Sequence, residues 1–328
     1  MTRTAQAWCR LVAALAVAAT LYMAPGVAPA MARGSGVYDY GQVYGAAAPP
    51  APSAAVDTAP SPASNPGTTA KVSPGNVSDT TADGTASNPR SPAPKLWEAT
   101  LGAGLAFRPT YEGSDHYTVS PLPVFSLTYD DMISLGGEGL SLYWHRRDFR
   151  LGIGLGYGGG RKDSKGNGIF SGGDDRLRGL GNIDSALSVK AFGSYRLGSA
   201  VFSGSVTKFT GGANDGILAT AGLALPDRIN DRLTITPHFG ATWADREYMR
   251  TYFGITAQQS ANSGFSPFTA DAAIKDLAAG VSVHYQFNPH WFIGANADVK
   301  ELIGDAANSP ISFSDVQVRL VASAGYRF

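Results

Sequence analysis

The sequence predicts an all-β protein: an antiparallel transmembrane β-barrel, with twelve strands as the preferred count and ten as the alternative. Three observations predict it. Apolar and polar side chains alternate over long runs, the runs match the roughly 9–11 residues of a tilted membrane crossing, and aromatic residues collect at run ends.

Residues 1–32 read as a secretory signal. Arg3 and Arg10 supply the positive start, Leu11 to Met23 the apolar centre, and Ala28-Pro29-Ala30 or Ala30-Met31-Ala32 the small residues a signal peptidase requires. Pro25 and Gly26 interrupt the apolar run too early for a membrane helix. Cys9 precedes that run, which argues against a lipid-anchored cysteine. It is the only cysteine, so the mature chain is expected to lack thiol chemistry and disulfides.

Residues 33–94 are rich in Ala, Pro, Ser, Thr and Gly and carry few large apolar side chains beyond Tyr38, Tyr40 and Tyr44. Such a stretch cannot bury enough surface to offset its backbone entropy, so it is expected to be a disordered tether. The tyrosines read as chance residues in that tether rather than a binding motif. Composition changes abruptly at Lys95-Leu96-Trp97, and residues 95–328 form the barrel domain.

Within that domain, Leu233, Ile235, Pro237, Phe239, Ala241 and Trp243 oppose Thr234, Thr236, His238, Gly240 and Thr242. Leu277 to Phe287, Ile293 to Val299 and Val316 to Phe328 repeat the alternation, with Val321 the one exception in the last run. Each run has a greasy side and a wet side. Trp97, Phe287, Trp291, Tyr326 and Phe328 are expected to share one rim, where amphipathic rings meet lipid headgroups.

Parity sets the count. Short turns at Tyr129–Asp131, Arg146–Asp148, Gly198–Ala200, Pro226–Asp231 and Asn288–His290 belong on the periplasmic side. The long connections Arg161–Asn182 and Arg246–Ala273 belong outside. Both sets keep their sides if Met132–Trp144 is a bent hairpin turning at Gly136-Gly137-Glu138-Gly139, and that gives twelve crossings.

The chain offers little chemistry. Formal charge is zero, so no basic field draws nucleic acid. Gly154, Gly156 and Gly159 satisfy the spacing of a dinucleotide fingerprint, but they sit opposite Leu151, Ile153, Leu155 and Tyr157 on a strand, with no helix signal after them. They read as a smooth inner wall or room for a packed loop. Asp115, His116, Asp174 and Asp175 fall in outer loops. A rim hydrolase would need several such groups to converge with a nucleophile, so they read as hydrated loop residues. Asp174 and Asp175 with Arg176 and Arg178 read as a local ion-pair cluster rather than a cation site bridging lipopolysaccharide. His238 and His284 face the lumen on separate strands and read as wall residues rather than metal ligands. Glu98, Lys190, Arg196, Asp276, Asp298, Lys300 and Arg319 line the lumen with both signs, which favours a packed or narrow interior over an ion-selective pore. No catalytic, cofactor or metal residue is assigned.

Ordered segments along the barrel resemble one family. They are Arg108 to Ser114 with Pro121-Leu122-Pro123, Gly160-Arg161, Leu177 to Asp184, Trp243-Ala244-Asp245, Tyr248 with Thr251 to Ile255, Gly304 to Ile311, and Gly325 to Phe328. In order and spacing the chain resembles the MltA-interacting protein/OmpV family of outer-membrane proteins. The resemblance implies a non-enzymatic barrel in the outer membrane, surrounded by lipid and lipopolysaccharide. It also implies a scaffold joining a lytic transglycosylase to a penicillin-binding synthase. Small-solute diffusion and adhesion are alternatives. The terminal Tyr326-x-Phe328 is similar to the signal read by the barrel-assembly machinery.

Overall fold

The computed structural model describes residues 96–166, 173–211 and 215–328. The signal and tether expected at 1–32 and 33–94 lie outside the described residues.

Thirteen strand segments follow in order: β1 (Trp97–Pro109), β2 (Tyr117–Tyr129), β3 (Ile133–Gly136), β4 (Gly139–Arg146), β5 (Phe149–Gly158), β6 (Ala186–Leu197), β7 (Ala200–Thr210), β8 (Ile217–Ala224), β9 (Asp227–Arg228), β10 (Leu233–Ala244), β11 (Ala273–Gln286), β12 (Trp291–Leu302) and β13 (Val316–Arg327). Neighbours pair antiparallel, β13 pairs back onto β1, and β10 pairs with β11, so the sheet closes on itself. The two-residue β9 continues β8 along the same flank of β10, so the segments make twelve crossings. The bent hairpin turns between Gly136 and Gly139, as parity requires. No described helix is long and apolar enough to cross a membrane; this chain crosses with strands.

The barrel is inside out relative to a water-soluble domain. Leu101, Leu105, Ile153, Leu187 and Val206 are exposed, whereas Thr236, His238, Asp276 and Asp298 are buried. Apolar side chains therefore face lipid and polar ones the lumen, which is the arrangement a bilayer favours. The rim is also as expected. Trp97 packs on Tyr129 at 4.6 Å between ring centres, and Tyr326 contacts Trp291 and Phe328 at 5.1 and 4.8 Å.

Two irregularities interrupt the regular wall. Between β10 and β11 the register slips after Thr242↔Asp276, to Trp243↔Ile274. This β-bulge buries the consecutive side chains of Lys275 and Asp276 together. The β3–β4 hairpin is also short. β2 pairs with β3 only from Ser126 to Tyr129, while on its other side it pairs with β1 along its whole length.

Candidate functional site

The connections on the side opposite the aromatic rim fold into a lid. Helix α1 (Arg246–Phe253) follows β10 directly, and Asp245 caps it by accepting from the Tyr248 N–H at 2.9 Å. Its buried residues Tyr248, Met249, Tyr252 and Phe253 recur at helical spacing, so one stripe of the helix is apolar. That stripe packs in a cluster with Ile183 of the β5–β6 connection and with Leu302, Ala306 and Ala270, flanked by Phe209 and Leu218. Tyr248 also reaches Glu112 of the β1–β2 connection at 3.4 Å. These partners come from all around the ring. One short helix can touch them together only by lying across the barrel mouth.

A second cluster joins Tyr111, Leu177, Leu180, Ile255 and Ile311 from four connections. Hydrogen bonds between connections brace both clusters. Arg161 Nη1 donates to the Tyr252 carbonyl at 2.7 Å, Ser309 to the Phe253 carbonyl at 2.6 Å, and Tyr111 to the Ile311 carbonyl at 3.1 Å. Gln259 of helix α2 (Ala257–Ser263) donates to the Leu180 carbonyl at 2.7 Å. Burial pushes the Tyr111 and Tyr248 phenols up from their ordinary range, with Glu112 adding to the second, so both stay neutral donors.

Beneath the lid the lumen holds a buried ion cluster. Lys275 Nζ lies 2.5 Å from Glu112 Oε1 and 2.5 Å from Asp276 Oδ2. Lys300 Nζ lies 3.0 and 3.5 Å from the same two carboxylates. Burial alone would raise the Glu112 pKa; the two ammonium groups outweigh it and hold the carboxyl at about 2. The cluster fastens the β1–β2 connection to the wall of β11 and β12.

Deeper in, His238 Nε2 meets Asp298 Oδ1 at 2.8 Å, Asn296 donates to Asp298 at 2.5 Å, and Ser282 donates to Asn296 at 2.7 Å. Near the aromatic rim Arg327 pairs with Glu98 at 3.0 Å, and at the hairpin tip Lys190 pairs with Glu138 at 3.4 Å. Glu98, Lys190, Asp276 and Lys300 are thus each paired with an opposite charge, as the mixed signs implied.

Several expectations need correction. His238 does more than line the wall, because the closed ring brings Asp298 to it from β12. His284 stays apart, its ring 5.4 Å from Phe292. The outer-loop group is not simply hydrated. Asp174 is buried, and its Oδ2 accepts from Thr110 at 2.9 Å and Ser114 at 3.4 Å and meets His116 Nδ1 at 3.0 Å. Burial opposes its charge, and the Arg176 N–H, Thr110 and His116 outweigh that and lower its pKa. Asp115 pairs with Arg176. This is a clasp between the β1–β2 and β5–β6 connections. Ser114 is fully buried, and its hydroxyl donates to the Asp174 carboxylate. The local pair of Asp175 with Arg178 is present at 3.1 Å.

The glycines of the dinucleotide-like spacing lie on β5 and the turn after it. The neighbouring Gly152 leaves room for the Phe192 ring, which a Cβ there would meet at 2.3 Å. At Gly156 it is the turn of the β3–β4 hairpin that packs close, the Glu138 carbonyl lying 2.6 Å from where a Cβ would sit. Among the described residues no group of three or more His, Cys, Asp or Glu is placed to hold a metal ion.

The model of one protein family, MltA-interacting protein MipA, matches residues 101–328. The chain belongs to this family. That span runs from within β1 to the last residue and includes lid, clasp and ion cluster. No curated protein matches the chain. Among solved structures, OmpT of Vibrio cholerae shares 9% identity over 71% of this chain and 97% of its own, with a TM-score of 0.31. A KdgM porin shares 8% over 70% and 99%, with a TM-score of 0.34. A Salmonella typhi OmpF in complex with daunomycin shares 9% over 71% and 97%, with a TM-score of 0.31. Likenesses of that size carry no functional weight; the barrel architecture of this MipA-family chain stands on its own strand pairing.

Proposed function

We propose that this MipA-family protein is a non-enzymatic scaffold of the outer membrane, sealed against free diffusion, whose periplasmic turns dock wall-remodelling enzymes. The family description names interaction with MltA, and a lytic transglycosylase of that kind with a penicillin-binding synthase is the partner set we assign. The observation that carries the reading is the lid. A mouth closed by two apolar clusters and underpinned by a four-residue ion cluster suits a platform better than a pore. Residues 1–32 then act as the export signal and 33–94 as a tether that widens the search for partners.

Affinity capture on the native barrel in detergent tests the docking claim. Recovery of a lytic transglycosylase and a penicillin-binding protein, lost when the β4–β5 and β11–β12 turns are exchanged, is the expected result. Capture of neither enzyme by a folded barrel contradicts it.

A further inference from the structure

Among the described residues, the short β3–β4 hairpin leaves a side window in the barrel wall. On the β2 side its tip stands four residue pairs above the aromatic rim. At about 3.3 Å per residue and a tilt near 40° that is roughly 10 Å, inside an apolar band about 25 Å tall. Above the tip, among the described residues, β2 from Tyr117 to Phe125 pairs only with β1, and β5 from Gly156 to Gly158 pairs only with β6. The two jambs are three interstrand steps apart, roughly 14 Å. The described part of the β5–β6 connection reaches the β1–β2 connection through Asp174 and Arg176 and so passes above the gap.

The β2 side of the window is apolar, while its sill at the hairpin tip carries the Lys190–Glu138 pair. The Asp130 N–H bonds to Leu96 of β1, and the Tyr129 carbonyl accepts from Met132 on the β3 side. Even positions of β2 therefore bond toward β1 and odd positions face the gap. Pro121 and Pro123 are odd, so the free edge lacks two of its donors, which opposes addition of a partner strand. The outer approach carries exposed Val119 and Tyr157, the latter 77% exposed. Just inside, the lumen face of β2 carries half-buried Leu122 and buried Val124. On the opposite jamb Gly156 is closed off by the hairpin tip, since a Cβ there would meet the Glu138 carbonyl at 2.6 Å, whereas a Cβ built on Gly158 meets no described atom within 4 Å.

We propose that this window admits an acyl chain of a lipid in the surrounding leaflet into the lumen, so that a bilayer lipid is seated partly inside the wall. The lid closes the aqueous mouth, whereas the window is continuous with the lipid-facing belt. An unbranched chain is the occupant that needs no hydrogen-bond partner from the proline-blunted edge.

Photo-labelling tests the proposal. The refolded full chain is placed in vesicles of phosphatidylcholine carrying a diazirine at one chain end, and adducts are mapped by mass spectrometry. Adducts on lumen-facing Ser120, Leu122 and Val124 are expected in addition to those on the outer belt. Gly158→Trp, or the milder Gly158→Leu, is expected to cut the lumen adducts about tenfold by filling the window. Gly204→Trp on the outer face of β7 is expected to leave them unchanged. Adducts confined to outward residues, or lumen adducts insensitive to both Gly158 variants, would overturn the proposal. So would lumen labelling seen only with free diazirine palmitic acid, because the occupant would then not be a bilayer lipid.

Discussion

His238 on β10 and Asp298 on β12 meet at 2.8 Å across Gly280 of β11, the strand that separates them. Both are register partners of Gly280, and a Cβ there would lie 2.5 Å from each. The missing side chain is what lets the imidazole and the carboxylate bridge over a strand.

Gly280→Ala is therefore expected to separate the pair and destabilise the barrel by about 1–3 kcal/mol. Gly204→Ala, whose Cβ would meet only the Thr220 carbonyl at 3.8 Å, is expected to change little. Urea unfolding followed by heat-modifiable gel mobility distinguishes the two.

The ion cluster makes a pH prediction. Glu112 has a folded pKa of about 2 against an ordinary 4.5, so the folded state binds its proton more weakly than the unfolded one. The stabilisation it supplies is complete above the ordinary value and is lost as pH falls toward about 2. Acid is expected to loosen the lid in that window. Glu112→Gln is expected to flatten the dependence and to cost on the order of 3 kcal/mol at neutral pH, because Lys275 remains buried with less counter-charge. Limited proteolysis of the 246–272 connection across the pH range reads both effects.

The lid core makes a packing prediction. Phe253 and Met249 are fully buried, and truncating either to Ala is expected to cost about 2–5 kcal/mol of local stability. Faster hydrogen exchange confined to α1 and its neighbours, with the strands unchanged, is the expected pattern.

The blunted edge makes an association prediction. Replacing Pro121 and Pro123 with Val restores two donors facing the window, and the double variant is expected to self-associate in detergent. Sedimentation showing it as monomeric as the parent would contradict the role given to the prolines.

Much of this was legible in the sequence. Period-two alternation exposes itself in a barrel because lipid and lumen impose opposite demands on successive residues, and turn parity located the hairpin at Gly136–Gly139. The His238–Asp298 bond was not legible, because residues so distant in sequence meet only through the register of two closed ladders. Lys275 escaped because a bulge breaks the alternation that would have placed it. The lid was hidden for a related reason. Its helix α1 is a short amphipathic turn inside a long connection, and its partners Ile183 and Leu302 come from other loops and strands. Asp174 looked solvated because loop position alone says nothing of the Thr110, Ser114 and His116 groups that cover it.

Single-channel recording tests most directly whether this barrel is sealed. The refolded chain, with and without residues 33–94, is expected to be silent in planar bilayers while Phe253→Ala shows conductance steps. Stable steps from the intact, folded chain would contradict the sealed-scaffold account and make the protein a channel.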